Sequence, residues 1–474
     1  MGNDARPQAG IRGLETRSID YVPPAERHGV VWHQGPFWFT GGFVLPSMLI
    51  GFIGPSMGLG LIWSIIGVVT GMAFGTLFMA LHANQGPRLG LPQMIQSRAQ
   101  FGARGAMFPM AVAVFIYVGY NVFYFILSTE AINTVIPGGK IWYVFFGLLA
   151  VGIAIVGHDL LHVFQRWSSF IILIVFAILT VVVIVKYPAA GAPPLATGWA
   201  FTPFLVQFAA AGGYQISYAI YVSDYSRYLP EDAPVKKLIG WTFIGGLAGA
   251  GWLACLGSLF ATYVAASDPI IAMHEVGNLV FPGFGIIAVL ASVPPMIGTS
   301  GVNAYGAMLT GATIADGIRH VRPGVRTRII GLLIVGVATI VVSLAIPANY
   351  LNAFNTFLGV MVYLLVPWTA VNLVDFYLVR RGRYSVTDIV DPRGAYGQWS
   401  ARGLTAYFAG FVAMVPFFSL SFYHGPVTEA LGGADFSFVV GLLVSGVLYW
   451  LLSRERAGQG FPAEVAADPT RVTT

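Results

Sequence analysis

The sequence predicts an all-α integral membrane protein of twelve transmembrane helices, and three observations carry that prediction. Apolar stretches of the size that crosses a hydrocarbon core, about 20 residues, recur along the chain between polar or Gly- and Pro-containing connections. The composition is 56% hydrophobic and 9% charged, with a mean hydropathy of +0.74. That is more apolar surface than a water-soluble domain can hide, so lipid is the solvent. Finally, when the spans are threaded as alternating crossings, twenty-three of the twenty-five Lys and Arg residues fall on one side, and the other side holds only Lys140 and Lys186. The positive-inside rule makes the first side cytoplasmic and places both termini there, in a cell inner membrane.

In order, the spans are read at 37–57, 60–83, 105–133, 141–157, 167–187, 201–224, 238–265, 280–310, 328–346, 351–378, 403–423 and 436–453. Residues 1–30 form a polar cytoplasmic arm without the apolar core of a signal peptide, 31–456 one transmembrane domain, and 457–474 a tail predicted to be disordered. The arginines that give the pI of about 9.2 sit where they fix topology beside anionic headgroups. The bilayer is therefore the expected partner, and a nucleic acid is not needed to explain the charge. The single Cys255 cannot form an internal disulfide, and no cofactor is expected.

Two spans carry helix-breaking residues. Span 1 contains Gly41, Gly42, Pro46, Gly51, Gly54 and Pro55; span 6 contains Ala209, Ala210, Ala211, Gly212 and Gly213 immediately before Tyr214. In lipid, main-chain groups freed by a break survive only where they line a cavity or bind something. Discontinuous helices five spans apart are the mark of an inverted repeat, spans 1–5 against 6–10, with the break of span 6 expected at its glycine pair. The plainer alternative for any one of these glycines is close helix packing.

Polar side chains at bilayer depth are costly, so those placed near the midplane are candidates for function. They are Tyr117 and Asn121 in span 3, Tyr214, Gln215, Ser217 and Tyr218 in span 6, and Thr299, Ser300, Asn303 and Tyr305 in span 8. Aromatic faces and amides suit a flat, neutral, hydrogen-bonding ring: the faces stack on it, and each amide offers its edge a donor and an acceptor. Ordinary helix packing is the competing reading of each aromatic. Glu130, Asp224 and Asp375 lie near span ends and read as gate or interface carboxylates, with Glu130 the candidate for a titrating group. His158, Asp159 and His162 have the four-residue spacing of a metal pair but no third ligand cluster, and read as a helix end.

Three longer motifs resemble a known group. They are Gly-Pro-Arg-Leu-Gly-Leu-Pro-Gln-Met-Ile-Gln-Ser-Arg-Ala-Gln-Phe-Gly at 86–102, Ser-Asp-Tyr-Ser-Arg-Tyr-Leu-Pro at 223–230 and Asp-Phe-Tyr-Leu-Val-Arg-Arg-Gly-Arg-Tyr at 375–384. In this order they look like the purine and cytosine permease family of nucleobase cation symporters, and the likeness runs from about residue 13 to 452. The resemblance implies a sodium-leucine-transporter-like fold of ten core helices in two inverted repeats plus two peripheral helices. It also implies cation-coupled uptake of a nucleobase or related heterocycle.

Carried over by motif, the substrate site implied by the resemblance comprises Tyr117, Gly119 and Asn121 of span 3, Gly213 and Tyr214 or Tyr218 of span 6, and Asn303 of span 8. Tyr stands where relatives show Trp. The implied cation site uses the carbonyls of Gly41 and Val44 with span 8 hydroxyls; counting from Asn303 these fall on Ile297 and Gly298, with Thr299 and Ser300 directly after. The coupling ion is sodium or, as in some fungal members, a proton. The expected protein is thus an alternating-access symporter of a small heterocycle held between Tyr117 and Tyr214 or Tyr218, with Asn121, Gln215 and Asn303 reading its edge. Hydantoin, allantoin or a heterocyclic vitamin is the alternative cargo. A passive channel and a metalloenzyme built on His158, Asp159 and His162 are the competing classes, and the oligomeric state is left open.

Overall fold

The computed structural model describes residues 21–156, 158–189, 198–264, 268–318, 324–347 and 349–456. Helix occupies each of the twelve predicted segments. Among the described residues, seven helices of at least 18 residues are apolar enough to cross a membrane, and three apolar helices of 10–17 residues accompany them. Their outward faces expose large aliphatic side chains, such as Ile62, Ile334, Val412 and Leu443, which is the surface that lipid requires.

The packing repeats itself with an offset of five. Span 6 (Phe201–Ser217) lies along span 2 (Leu61–Ala83) as span 1 lies along span 7 (Val235–Tyr263). Span 8 (Val293–Ile318) packs on span 4 (Ile141–Val156) as span 3 (Met107–Asn133) packs on span 9 (Val325–Ala345). Span 5 (His158–Ala189) touches spans 7 and 8 as span 10 (Tyr350–Leu373) touches spans 2 and 3. Exchanging each span with the one five later maps these pairs onto each other, which is the internal symmetry of a 5+5 repeat. Spans 11 (Ala401–Met414) and 12 (Ser437–Ser453) pack on each other and on span 10.

Glycines set the closest approaches. A Cβ on Gly71 would meet the Phe208 carbonyl at 2.3 Å, and one on Gly75 the Gly212 carbonyl at 2.1 Å, so spans 2 and 6 touch backbone to backbone. Gly249 and Gly257 of span 7 press in the same way on the Phe39 and Met48 carbonyls of span 1. Small residues at a helix crossing permit this contact in lipid.

Three regions depart from the expected boundaries. Span 11 ends at Phe417 instead of 423, because 419–424 turn back as a hairpin with Ser419 opposite His424. Residues 21–30 do not trail away from the domain: Val22 N–H donates to the Gly90 carbonyl at 2.9 Å and Arg27 to the Pro87 carbonyl at 2.6 Å. Burial among apolar neighbours holds the Arg27 guanidinium below its ordinary pKa. The connection between spans 2 and 3 is folded into the protein, with Gln85, Gln93, Gln96, Ser97 and Gln100 all buried.

Candidate functional site

Span 1 is broken as expected. Its first helix, Gln34–Gly42, stops at Phe43 (φ −88°, ψ 60°) and an extended Val44 (φ −133°, ψ 154°), before Leu45–Gly51 resumes. The Gly42 carbonyl, left without its helical partner, lies 2.6 Å from Ser47 Oγ.

Span 6 is broken too, but not at its glycines. Gly212 and Gly213 lie within an uninterrupted helix, Phe201–Ser217, where Gly212 meets span 2 and a Cβ on Gly213 would collide with Val362 of span 10 at 2.2 Å. The helix instead loosens into a 3₁₀ turn at Tyr218–Ile220 and breaks at Tyr221 (φ −140°, ψ 6°) before Val222–Ser226. Ser217 Oγ, which donates to the Tyr214 carbonyl at 2.6 Å, competes there with the helical ladder. At this position the packing reading of the glycines holds, and the break falls one turn later.

Hydroxyl groups tie the two breaks together. Ser47 Oγ is 2.8 Å from the Tyr214 hydroxyl, which is 2.9 Å from the Tyr218 hydroxyl, and Tyr218 donates to the Gly41 carbonyl at 3.2 Å. Tyr214 is fully enclosed by this set, so its ring is part of the wall. Around Tyr218 gather Trp38 of span 1 at 6.1 Å and Tyr221 at 5.5 Å between ring centroids.

Tyr117 of span 3 stacks on Tyr221, at 5.8 Å and 27° between ring planes. Gly306 of span 8 makes room for it, since a Cβ there would lie 3.0 Å from Tyr117 Cζ. Neither Tyr221 nor Gly306 is evident from spacing alone. The signal that could have found Tyr221 is its place three residues before Asp224, in a run of four tyrosines at 214, 218, 221 and 225. Gly119 turns to the other side of span 3: a Cβ would strike the Phe357 ring of span 10 at 2.1 Å. It is a packing position, as Gly213 is.

The amides divide. Asn121, buried in span 3, donates through Nδ2 to the Ser300 carbonyl of span 8 at 3.0 Å, while its Oδ1 has no partner. Asn303, on span 8, is buried. Gln215 points away from the aromatic group, donating to the Gly246 carbonyl of span 7 at 2.7 Å. Of the proposed cation-site hydroxyls, Thr299 donates to the Pro295 carbonyl and Ser300 to the Met296 carbonyl, both at 2.9 Å.

A small cavity of about 50 Å³ reaches Tyr117 from the arginine-rich end, between span 8 (Gly306, Thr310, Thr313), Asp224 of span 6 and the connection between spans 2 and 3 (Pro92, Met94, Ile95). No cationic side chain is among its lining residues and one carboxylate is, so the field inside does not favour an anion. The side chains of His158, Asp159 and His162 lie outside the described residues.

Comparison with known proteins gives the same class. The family described as "Permease for cytosine/purines, uracil, thiamine, allantoin" matches residues 21–441. The chain is 35% identical to a putative purine-cytosine permease, YxlA, of Bacillus subtilis over 94% of its length and 96% of that protein's. It is 22% identical to the hydantoin permease of Microbacterium maritypicum, over 82% of this chain and 78% of that one. Among solved structures, Mhp1, a nucleobase-cation-symport-1 family transporter in a closed conformation with bromovinylhydantoin bound, superposes with a TM-score of 0.74 at 18% identity, covering 96% of this chain and 98% of that one. The inward-facing conformation of Mhp1 gives 0.73 at 17% identity, over 97% and 98%. The fold is therefore that of the sodium-leucine-transporter group, the protein is a permease and not an enzyme, and the chain belongs to the family of permeases for cytosine/purines, uracil, thiamine and allantoin.

Proposed function

We propose that this permease takes up a neutral planar heterocycle of nucleobase type by cation symport, binding it at the face of Tyr117. The observation that carries this reading is the Tyr117–Tyr221 pair, a near-parallel aromatic couple at the break of span 6 with the unpaired Asn121 Oδ1 four residues along span 3. A ring stacked on both faces needs about 7 Å between them, twice a carbon–carbon contact of about 3.5 Å. With the ring centroids only 5.8 Å apart, Tyr221 must move aside to admit it. Asn121 and Asn303 address the ring edge, Trp38 and Tyr218 close its sides, and Gln215, Gly119 and Gly213 hold the helices that carry these groups.

The coupling ion is taken by the Gly41 and Val44 carbonyls at the span 1 break together with the Thr299 and Ser300 hydroxyls, an all-oxygen set of the kind a hard cation takes. Sodium is the ion this set suits; a proton is the alternative driver. The chain crosses the inner membrane twelve times with both termini cytoplasmic, so the cavity below Tyr117 is the inward vestibule.

The test is uptake of radiolabelled cytosine, purines and hydantoin into proteoliposomes, with a sodium gradient, a proton gradient or neither. The reading expects saturable uptake of at least one ring, stimulated by one of the two gradients. Uptake that neither saturates nor responds to either gradient would leave a passive pore in its place.

A further inference from the structure

The connection between spans 2 and 3 contains a line of side-chain amides that runs in one direction. Gln93 Nε2 donates to Gln85 Oε1 at 2.9 Å, and Gln85 Nε2 to Asn372 Oδ1 at 2.6 Å. Asn372 Nδ2 then faces Gln100 Oε1 at 3.5 Å, and Gln100 Nε2 donates to Asp375 Oδ2 at 2.8 Å. Each amide gives to the next and accepts from the one before, an arrangement in which the bonds polarise one another.

Both ends are fixed to carboxylates. At the start, Gln93 main-chain N–H donates to Asp224 Oδ1 at 2.7 Å, three residues after Tyr221. At the finish, Asp375 also accepts from Tyr384 and Tyr449 at 2.8 Å and from Arg380 at 3.2 Å. Pro92, Met94 and Ile95 of the same segment line the cavity that reaches Tyr117. The line therefore runs from the floor of the vestibule to the junction of spans 10 and 12.

One feature distinguishes it from a static brace. Its longest link, between Asn372 and Gln100, falls where span 10 changes from α-helix to a π turn, Val374–Val379. Such turns recur at functional sites and bend helices.

We propose that residues 85–101 form a latch on the vestibule, that the amide line holds it in the state seen, and that Asn372 is its release point, parting from Gln100 as span 10 pivots at the π turn. The proposal rests on the alternating-access reading. Asn372 acts through the latch and does not touch substrate, so it is a positioning residue.

The experiment uses the full-length permease with Cys255→Ala and a Thr310→Cys reporter in the vestibule, and follows alkylation by a membrane-impermeant maleimide. Asn372→Asp keeps the acceptor for Gln85 and removes the donor to Gln100, while Asn372→Leu removes both. Thr369→Val, on the same helix with an unpartnered hydroxyl, is the control. Both Asn372 variants are expected to change the alkylation rate at least fivefold and to lower the maximal uptake rate, with equilibrium binding of cytosine or hydantoin within twofold of the parent; Thr369→Val changes neither. If Asn372→Asp elutes monodisperse, melts near the parent and alkylates at the parent rate, the latch is wrong. If both variants fail to fold, or Thr369→Val alters alkylation equally, the network is a structural support and the proposal is equally overturned. An alkylation response in a protein that binds no heterocycle would keep the latch and remove the substrate reading instead.

Discussion

The Tyr218 hydroxyl donates to the Gly41 carbonyl across 3.2 Å, joining the break of span 6 to the break of span 1. One end of this bond belongs to the aromatic group proposed to hold substrate, and the other is a carbonyl proposed to hold the cation. Replacing Tyr218 with Phe keeps the ring and deletes the link. Substrate affinity without the cation is expected to stay within about threefold, while the gain in affinity that the cation confers is lost. Binding titrations at varied sodium and pH check this.

Asn121 makes a second link, to span 8, and leaves its Oδ1 facing no donor. That oxygen calls for an N–H on the substrate, and a buried acceptor deprived of its donor costs about 1–3 kcal/mol. Substrates methylated at the nitrogen that meets Asn121 are therefore expected to bind roughly 10- to 100-fold more weakly. Asn121→Ala removes the distinction between methylated and unmethylated rings, which competition binding measures.

Glycine substitutions separate the two uses of this residue. Gly75→Ala places a Cβ 2.1 Å from the Gly212 carbonyl, and overpacking of this kind costs about 1–3 kcal/mol. At Gly240 of span 7 nothing lies within 4 Å of an added Cβ, so Gly240→Ala is neutral or stabilising by up to about 1 kcal/mol. Thermal melting of the purified variants is expected to fall for the first and to hold or rise for the second.

Asp375, fully buried, accepts from Gln100, Arg380, Tyr384 and Tyr449. Asp375→Asn leaves the Arg380 guanidinium buried without its countercharge, a loss of about 3–5 kcal/mol. Tyr449→Phe removes one hydrogen bond and costs about 1 kcal/mol. The melting temperature is expected to drop much further for Asp375→Asn.

Much of this was legible in the chain because lipid imposes length and charge rules on every crossing. The helix positions follow from hydropathy and arginine placement, and the broken first span from its glycines and prolines. The break of span 6 was not, because glycine serves both broken helices and tight crossings, and Gly212 and Gly213 serve the crossing. Composition likewise gives a polar residue's depth but not the direction of its amide, and the Gln215 amide nitrogen goes to Gly246. The buried amides at 85–100 sit outside the hydrophobic stretches, where polarity reads as a solvated loop until tertiary packing encloses it.

The account depends most on a planar solute stacking on Tyr117. Equilibrium binding of labelled cytosine, or of whichever heterocycle raises the melting temperature, to the parent, Tyr117→Phe and Tyr117→Ala proteins tests this directly. The account predicts saturable binding that Tyr117→Phe retains within a few-fold and Tyr117→Ala abolishes, with both variants folded. Undiminished binding in Tyr117→Ala would contradict it.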